Sequence, residues 1–221
     1  MKFKCIDSVN DPLYAQALSL YEGKLSHDVS EKTEIFEQSL ENDMTKDDYV
    51  FLVGLEDNKV VSLATAHYEA TTNSSFLIYL ISKESPDCER ILSLTLEEVE
   101  EAINQLSQKV HQKDVNFMMF ESTHEGDPNQ EQVDPDIQFR KQFLRSHGFI
   151  KQKYLDYIQP NLHGNGPPIP MDLYIKANIE LTKDIYGTSV KSNYILKYVF
   201  ANKIPRRKIY PLLVKMDLRK A

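Results

Sequence analysis

Runs of apolar residues separated by short polar turns dominate the stretch from residue 49 to residue 120. Residues 49–55 and 60–68 are two such runs, and the polar stretch 56–59 between them is typical of a β-hairpin. Residues 75–81 predict a third strand, and the apolar run 115–120 has the length and composition of a buried strand. The pattern therefore predicts a sheet that contains three consecutive strands.

Helical spacing appears before and after these strands. The longest amphipathic pattern covers residues 89–109, where apolar positions recur every three or four residues and a group of glutamates lies mostly on the opposite side. Near the N-terminus, a short strand at residues 3–6 is followed by a helix that starts close to Pro12. A second helix is predicted at residues 30–41.

A helix that stops on a single glycine is predicted further along the chain. Phe143 and Leu144 share its apolar face, and Gly148 follows the last helical turn. Glycine suits the left-handed residue that closes a helix, because it has no Cβ to clash there. Strands are predicted directly afterwards, at residues 149–158 and 169–175.

The predicted element order is β-α-α-β-β-β-α-β-α-β-β. Three strands in a meander and then one helical crossover require antiparallel neighbours and a parallel pair across the long helix. The sequence thus predicts an α/β (α+β) fold with a mixed, mostly antiparallel central sheet flanked by helices. Residues 1–176 form the predicted domain, and residues 177–221 form a C-terminal helical extension.

Charge is distributed unevenly between these two parts. The chain has a net charge of −7, yet nine basic residues and one acidic residue follow residue 190. Two interpretations are open: the basic extension packs on the acidic domain or on a second subunit, as in a homodimer, or it binds the phosphates of a cofactor or a nucleic acid. The acidic total argues against general binding of nucleic acids.

Composition restricts the setting and the chemistry. No apolar run approaches the roughly 20 residues of a membrane span, and residues 1–11 do not resemble a signal peptide. Only two cysteines occur, Cys5 and Cys88, so a reduced, cytoplasmic compartment is predicted. The six histidines show no paired ligand spacing, and no metal site is predicted.

Four short motifs follow one another in the second half of the chain. Strand 115–120 leads into Glu121, and residues 143–149 (FLRSHGF) fit the pattern Phe-Tyr-x-x-x-Gly-Phe. Arg140 precedes that pattern, and residues 157–160 (YIQP) are followed by a returning strand. In this order the motifs resemble the GCN5-related N-acetyltransferase (GNAT) family over residues 1–176.

The resemblance implies a GNAT-like fold, with acetyl-CoA as cosubstrate and a primary amine of a small molecule or peptide as acceptor. It also implies two cofactor-binding segments. Backbone N–H groups of one strand would hold the pantetheine arm, and a loop at the start of the long helix would hold the pyrophosphate. The corresponding residues are Leu80, Ile81 and Ser82 in the strand and Arg90, Ile91, Leu92, Ser93, Leu94 and Thr95 at the helix.

The loop departs from the family's pattern. Ser93 and Thr95 stand where the family has small residues, usually glycine, that allow the phosphates to approach the backbone. Their hydroxyl groups could donate hydrogen bonds to phosphate, but each side chain adds a Cβ at the closest approach. Two interpretations stay open: the loop binds acyl-CoA, or it only starts a helix.

Glu121 and Tyr157 are the catalytic candidates that the resemblance suggests. Glu121 would act as general base toward the amine, directly or through water; alternatively it forms a salt bridge with Arg140. The tyrosine that serves as acid in many family members is replaced by Leu144, which has no proton to donate. Tyr157, Tyr154 or solvent would then protonate the leaving thiolate, since a thiol pKa is near 8.5.

Two function classes therefore remain. The first is an active N-acetyltransferase that moves an acetyl group from acetyl-CoA to an amine by direct attack. The second is a catalytically inactive GNAT-like protein that binds or regulates a partner, with weakened or lost binding of coenzyme A. His124 and Glu84 are further candidates at loop positions.

Overall fold

The computed structural model describes residues 1–22, 24, 31–43, 46–124, 135–163 and 166–220. These residues form two compact units, Met1–Asn116 and Phe117–Ala221. The secondary structure is of the mixed α/β class, with a mostly antiparallel sheet flanked by helices, as the sequence predicted.

The first unit is built around an antiparallel meander in which each strand pairs with the next. Asp57 and Asn58 have φ angles of 49° and 60° in its first tight hairpin. Two left-handed residues give the turn the twist that a two-residue hairpin needs. The elements are β1 (Lys2–Cys5), α1 (Pro12–Glu22), α2 (Glu34–Glu41), a 3₁₀ turn (Lys46–Asp48), β2 (Tyr49–Glu56), β3 (Lys59–Glu69), β4 (Ser74–Ser82) and α3 (Cys88–His111).

Helices pack on both faces of this meander because its strands carry apolar residues on both faces. Phe51 and Leu63 lie in one buried cluster with residues of α1 and α2. On the other face, Thr95 of α3 shares a 2.7 Å hydrogen bond with Ser62 of β3. The near-continuous apolar runs of β2 and β3 follow from this double coverage.

In the second unit, β8 is the central strand and pairs antiparallel with β5, β6 and β7. The elements are β5 (Phe117–Thr123), α4 (Pro135–Ser146), β6 (Ile150–Lys151), β7 (Ile158–Gln159), β8 (Ile169–Ala177), α5 (Lys183–Tyr194), a π-helical segment (Ile195–Ala201) and α6 (Arg206–Lys215). Glu121 lies inside β5 rather than after it, since pairing with β8 continues to Thr123.

The corner at Gly148 is confirmed. Gly148 has a φ of 83°, and its N–H donates to the carbonyl of Arg145 at 3.1 Å. The N–H of Phe149 donates to the carbonyl of Leu144 at 2.9 Å. These two bonds are the Schellman motif, which closes a helix around a left-handed residue.

The single strand predicted at residues 149–158 is wrong. The chain forms only the two-residue strands β6 and β7, and Tyr154 between them is 81% exposed. The N–H of Tyr157 instead donates to the carbonyl of Leu155, two residues earlier. The chain thus leaves the sheet after β6 and returns to β8 only at β7.

Candidate functional site

Glu121 is held inside the second unit by partners from the C-terminal extension. Its side chain is 7% exposed, and the Lys197 ammonium contacts Oε1. The hydroxyl of Tyr198 donates to Oε2 at 3.2 Å. Both partners lie on the π-helical segment, so neighbouring residues reach the two oxygens of one carboxylate.

Three buried tyrosines surround this ion pair. The rings of Tyr157 and Tyr194 meet edge-on with centroids 6.1 Å apart, and those of Tyr194 and Tyr198 are 4.6 Å apart. The hydroxyl of Tyr194 donates to the carbonyl of Ile158 at 2.7 Å, which fixes the middle ring to β7. We refer to Tyr157, Tyr194 and Tyr198 as the tyrosine cluster.

The tyrosine hydroxyl groups beside Glu121 keep their protons. Burial, and then the nearby Glu121 charge, raise the pKa of Tyr157 and that of Tyr198 well above the usual value of 10. A hydroxyl group whose pKa rises this way donates hydrogen bonds to the carboxylate but releases its own proton reluctantly. The structure therefore brings the two predicted catalytic residues together, with Tyr157 suited to donate a hydrogen bond rather than to transfer a proton.

Sequence reasoning missed Lys197 and Tyr198. Both residues contact the Glu121 carboxylate, for which the sequence suggested Arg140 as the alternative partner. Lys197 lies 76 positions from Glu121, and its sequence neighbours carry no motif that signals a contact. The raised density of basic residues after residue 190 was the one available sign.

Asp172 organises a second polar group in the same unit. It is 3% exposed, and its Oδ1 accepts from Nδ1 of His124 at 2.7 Å and from the Lys151 ammonium at 2.8 Å. Asp172 lies directly opposite Ser122 in the β5–β8 register, the position next to Glu121. Because side chains alternate along a strand, Asp172 and Ser122 face away from the side that carries Glu121.

Leu144, which stands where the resemblance implies an acidic tyrosine, has a structural role. Leu144 is 1% exposed in α4, next to the buried Phe143. Tyr154 is 81% exposed, and no ring contact or hydrogen bond links it to Glu121 among the described residues.

The predicted pantetheine-binding residues end strand β4 of the first unit. Leu80 pairs with Ala64, Ile81 with Leu63 and Ser82 with Ser62 in β3. The N–H of Lys83 continues the ladder by donating to the carbonyl of Val61 at 2.9 Å.

The predicted phosphate-binding residues lie inside α3 rather than in a loop before it. The helix begins at Cys88, so Arg90, Ile91, Leu92, Ser93, Leu94 and Thr95 occupy its first turns. The hydroxyl of Thr95, which is fully buried, donates to the carbonyl of Ile91 at 2.6 Å and contacts Ser62. The hydroxyl of Ser93 donates to the carbonyl of Glu89 at 2.9 Å. Both hydroxyl groups serve the helix.

The N–H groups of α3 that lack helical acceptors lie at the N-terminal edge of the segment 90–95 that the sequence predicted. The first helical bond runs from the N–H of Ile91 to the carbonyl of Asp87, and the N–H of Cys88 donates to Ser85. A helix leaves its first N–H groups without helical acceptors, here those of Glu89 and Arg90. N–H groups of this kind attract anions in general. The Arg90 guanidinium beside them is paired with Glu56 at 3.0 Å.

The chain shares its fold with solved structures of other proteins. No protein-family model and no curated protein matches the chain. A structure from Bacteroides thetaiotaomicron described as a GNAT-family acetyltransferase aligns over 91% of this chain and 99% of its own, with a TM-score of 0.66 and 16% identity. The chain has the GNAT fold.

Two further structures with the GNAT fold are aminoglycoside 6'-N-acetyltransferases. The Enterococcus faecium protein has a TM-score of 0.58 at 12% identity, over 82% of this chain and 99% of its own. A structure in complex with coenzyme A has a TM-score of 0.53 at 12% identity, with the same coverage. Identities this low establish the common fold and leave the chemistry of each site to be argued from its residues.

The described residues lack two kinds of feature, a metal-binding group and a membrane-spanning helix. Within the described ranges, no three His, Cys, Asp or Glu side chains come together in a group that could hold a metal ion. None of the helices seen in the described residues has the length and apolar character to cross a bilayer.

Proposed function

We propose that this protein transfers an acetyl group from acetyl-CoA to a primary amine of a small molecule or a peptide. The observation that carries the proposal is the GNAT fold, which extends over 91% of the chain in the comparison with a GNAT acetyltransferase and is shared with a coenzyme A complex. The buried carboxylate of Glu121 supplies a basic group of the kind that amine acylation needs.

Glu121 is the proposed general base. An alkylammonium must lose a proton before its nitrogen can attack, and a carboxylate that already accepts from the Lys197 ammonium has the geometry to accept from a substrate amine. Tyr198 stabilises the carboxylate by donating to it at 3.2 Å. As the new C–N bond forms, the C–S bond of the thioester breaks.

Solvent is the proposed source of the proton for the leaving thiolate. Leu144 has no proton to donate, and the raised pKa of Tyr157 makes its hydroxyl group a weaker acid than a thiol. The acceptor ammonium loses two protons in total: one is balanced by protonation of the thiolate, and one is released to water.

A second candidate function is a GNAT-fold protein that binds a partner without catalysis. One observation favours it: residues 83–95 contain no glycine, and the acidic residues Glu84, Asp87 and Glu89 flank the start of α3. Negative charges there oppose the binding of a pyrophosphate.

Turnover separates the two candidates. The purified protein would be incubated with acetyl-CoA and a panel of primary amines, from linear diamines to lysine-containing peptides and aminoglycosides, and release of free thiol would be followed. Amine-dependent thiol release that Glu121→Gln reduces by about 10²-fold or more would support the enzyme. Absence of release with every amine would favour the binding protein.

A further inference from the structure

The Lys197 ammonium is placed as a bound ligand would be. The Lys197 side chain is 11% exposed and contacts the carboxylate of Glu121, whose side chain is 7% exposed. Burying two charges costs free energy that a surface ion pair does not cost, so the enclosure needs compensating contacts. In this unit those contacts come from aromatic and hydroxyl groups that surround a positive charge.

An aromatic face completes the enclosure. The Lys197 nitrogen lies 5.2 Å from the ring centroid of Tyr198, within the range of cation–π attraction. Tyr194 packs edge-on against that ring, and Tyr157 packs against Tyr194. A carboxylate below and an aromatic ring beside the nitrogen are the two features that select an organic ammonium ion.

The backbone that delivers Lys197 is unusual. Residues Ile195–Ala201 form a π-helical segment, in which the N–H of Asn202 donates to the carbonyl of Lys197 at 3.0 Å, five residues earlier. Segments of this kind are uncommon and frequently occur at functional sites. Here the segment brings consecutive residues, Lys197 and Tyr198, to the same carboxylate.

We propose that Glu121 and the tyrosine cluster form a site for a primary alkylammonium ion, and that Lys197 of the C-terminal extension occupies this site in the free protein. When a ligand replaces Lys197 in this site, that ligand is the acceptor substrate; this step rests on the proposed function. The acceptor is then a primary amine on an unbranched alkyl chain, such as the side chain of a lysine in a second peptide. The side chain of Lys197 is itself a primary amine on an unbranched alkyl chain.

Chemistry narrows the ligand further. A primary ammonium has three N–H donors and can bond to the carboxylate while one side faces the Tyr198 ring. A quaternary ammonium has no N–H donor, and a neutral alcohol carries no charge to balance Glu121. Both therefore bind more weakly than a primary amine of the same length.

Replacement of Lys197 by alanine tests the site without any acetyl-CoA. Lys197→Ala leaves a space that matches n-propylamine, the part of the side chain removed beyond Cβ. We expect the variant to melt at a lower temperature than the wild type, and n-propylamine to restore most of the loss in a saturable manner. Neither 1-propanol nor propyltrimethylammonium should restore it. If Lys197→Ala does not fold when isolated, the same comparison is made on the recovery of near-ultraviolet circular dichroism during refolding with each compound.

Two matched variants identify the contacts. In Lys197→Met the alkyl chain fills the space, so n-propylamine should not raise the melting temperature. In the Lys197→Ala/Glu121→Gln double variant the counter-charge is absent, so the effect of n-propylamine should be lost. Equal effects of n-propylamine and 1-propanol, or no effect of either, would overturn the proposal.

Acetyl transfer by the same variants separates this inference from the proposed function. Saturable rescue by n-propylamine without turnover of any amine would leave the ammonium site standing and remove the enzyme. Turnover in the wild type without rescue of Lys197→Ala would leave the enzyme and remove the site. If both hold, Lys197→Ala should have a several-fold lower KM for linear alkylamines than the wild type.

Discussion

Thr95 shows how one hydroxyl group can be assigned to a ligand from sequence and to the fold from structure. The Oγ1 atom of Thr95 lies 2.7 Å from the Oγ atom of Ser62, and the same hydroxyl group donates to the carbonyl of Ile91 in α3. A buried hydroxyl that already has partners gains nothing from a distant phosphate. Thr95 and, by the same reasoning, Ser93 belong to the structure of α3.

The first prediction tests this assignment. Thr95→Val keeps the side-chain shape, leaves Ser62 without its partner, and should lower the free energy of unfolding by about 1 kcal/mol. Ser93→Ala should have a smaller effect because the hydrogen bond of its hydroxyl group is exposed. Neither variant should change the rise in melting temperature caused by acetyl-CoA. If both variants lost that rise in melting temperature, residues 93–95 would be assigned as the phosphate-binding site.

His67 provides a pH-dependent prediction at the same scale. Burial lowers the pKa of His67, and Asp48 and Glu69 oppose the shift. Because the folded pKa lies below the unfolded value of about 6.5, the unfolded state binds more protons, and the free energy of unfolding decreases as the pH falls through that value. Urea unfolding between about pH 7.5 and 5.5 should therefore show a smaller loss in His67→Gln than in the wild type. If the free energy of unfolding depended on pH with the same slope in both proteins, His67 would not be the origin of the loss.

The start of α3 is the element that decides how coenzyme A would be held. Its open N–H groups favour an anion, whereas Asp87 and Glu89 at the same end disfavour one. The attraction of an anion by the N–H groups and its repulsion by the two carboxylates have similar magnitudes. The two acidic side chains therefore decide whether an anion binds at this end of the helix.

Neutralising both charges is the corresponding prediction. Asp87→Asn/Glu89→Gln should raise the affinity for acetyl-CoA by about 2- to 5-fold, from about 0.3–1 kcal/mol of removed repulsion. Isothermal titration calorimetry would measure it, with Glu100→Gln, on the same helix beyond its first turns, as the control. An unchanged or weaker affinity in the double variant would exclude the N-terminus of α3 as the phosphate site.

The corner between α4 and β6 yields a prediction that does not depend on function. Gly148→Ala places a Cβ at a φ of 83°, although among the described residues only the Lys176 side chain lies within 4 Å of it, at 3.9 Å. The cost is therefore conformational, about 1–2 kcal/mol. Chemical denaturation should show it, and Gly148→Asn should cost less, because asparagine tolerates left-handed backbone better. Equal costs for the two variants would contradict this origin.

Elements were predicted where the local pattern determines them. Gly148, the hairpin at Asp57 and the amphipathic α3 are local, so their residues suffice to predict them. The strand predicted at residues 149–158 failed because its apolar residues lie on a chain that leaves the sheet between β6 and β7. Pairing with β8, whose partner residues lie 10 to 25 positions further along the chain, decides that departure.

At the scale of the whole molecule, the contact between Lys197 and Glu121 joins the two sequence regions of opposite charge. The charge imbalance left open whether the extension packs on the acidic domain or on a second subunit, or binds phosphates, and it gave no register for a contact. Lys197 was one of nine basic residues, and the π-helical segment that aims it has no sequence signature. Glu121 could be chosen from the sequence, whereas its environment could not.

A double-mutant cycle measures this contact. Glu121→Gln or Lys197→Met alone leaves a buried charge without its counter-charge and should lower the free energy of unfolding by about 3–5 kcal/mol. Together the substitutions should cost much less than the sum of the two, because neither charge remains. Urea unfolding of the four proteins would give the coupling, and additive effects would mean that the pair is not formed.

Acetyl transfer requires that this GNAT-fold chain, which has no glycine at the start of α3, still binds its cosubstrate. The most direct measurement is the melting temperature of the wild-type protein over a concentration series of acetyl-CoA, because a ligand that binds only the folded state stabilises it by mass action. We predict a saturable rise with acetyl-CoA and no rise with N-acetylcysteamine, which lacks the pyrophosphate. No change at millimolar acetyl-CoA would contradict the proposed acetyltransferase.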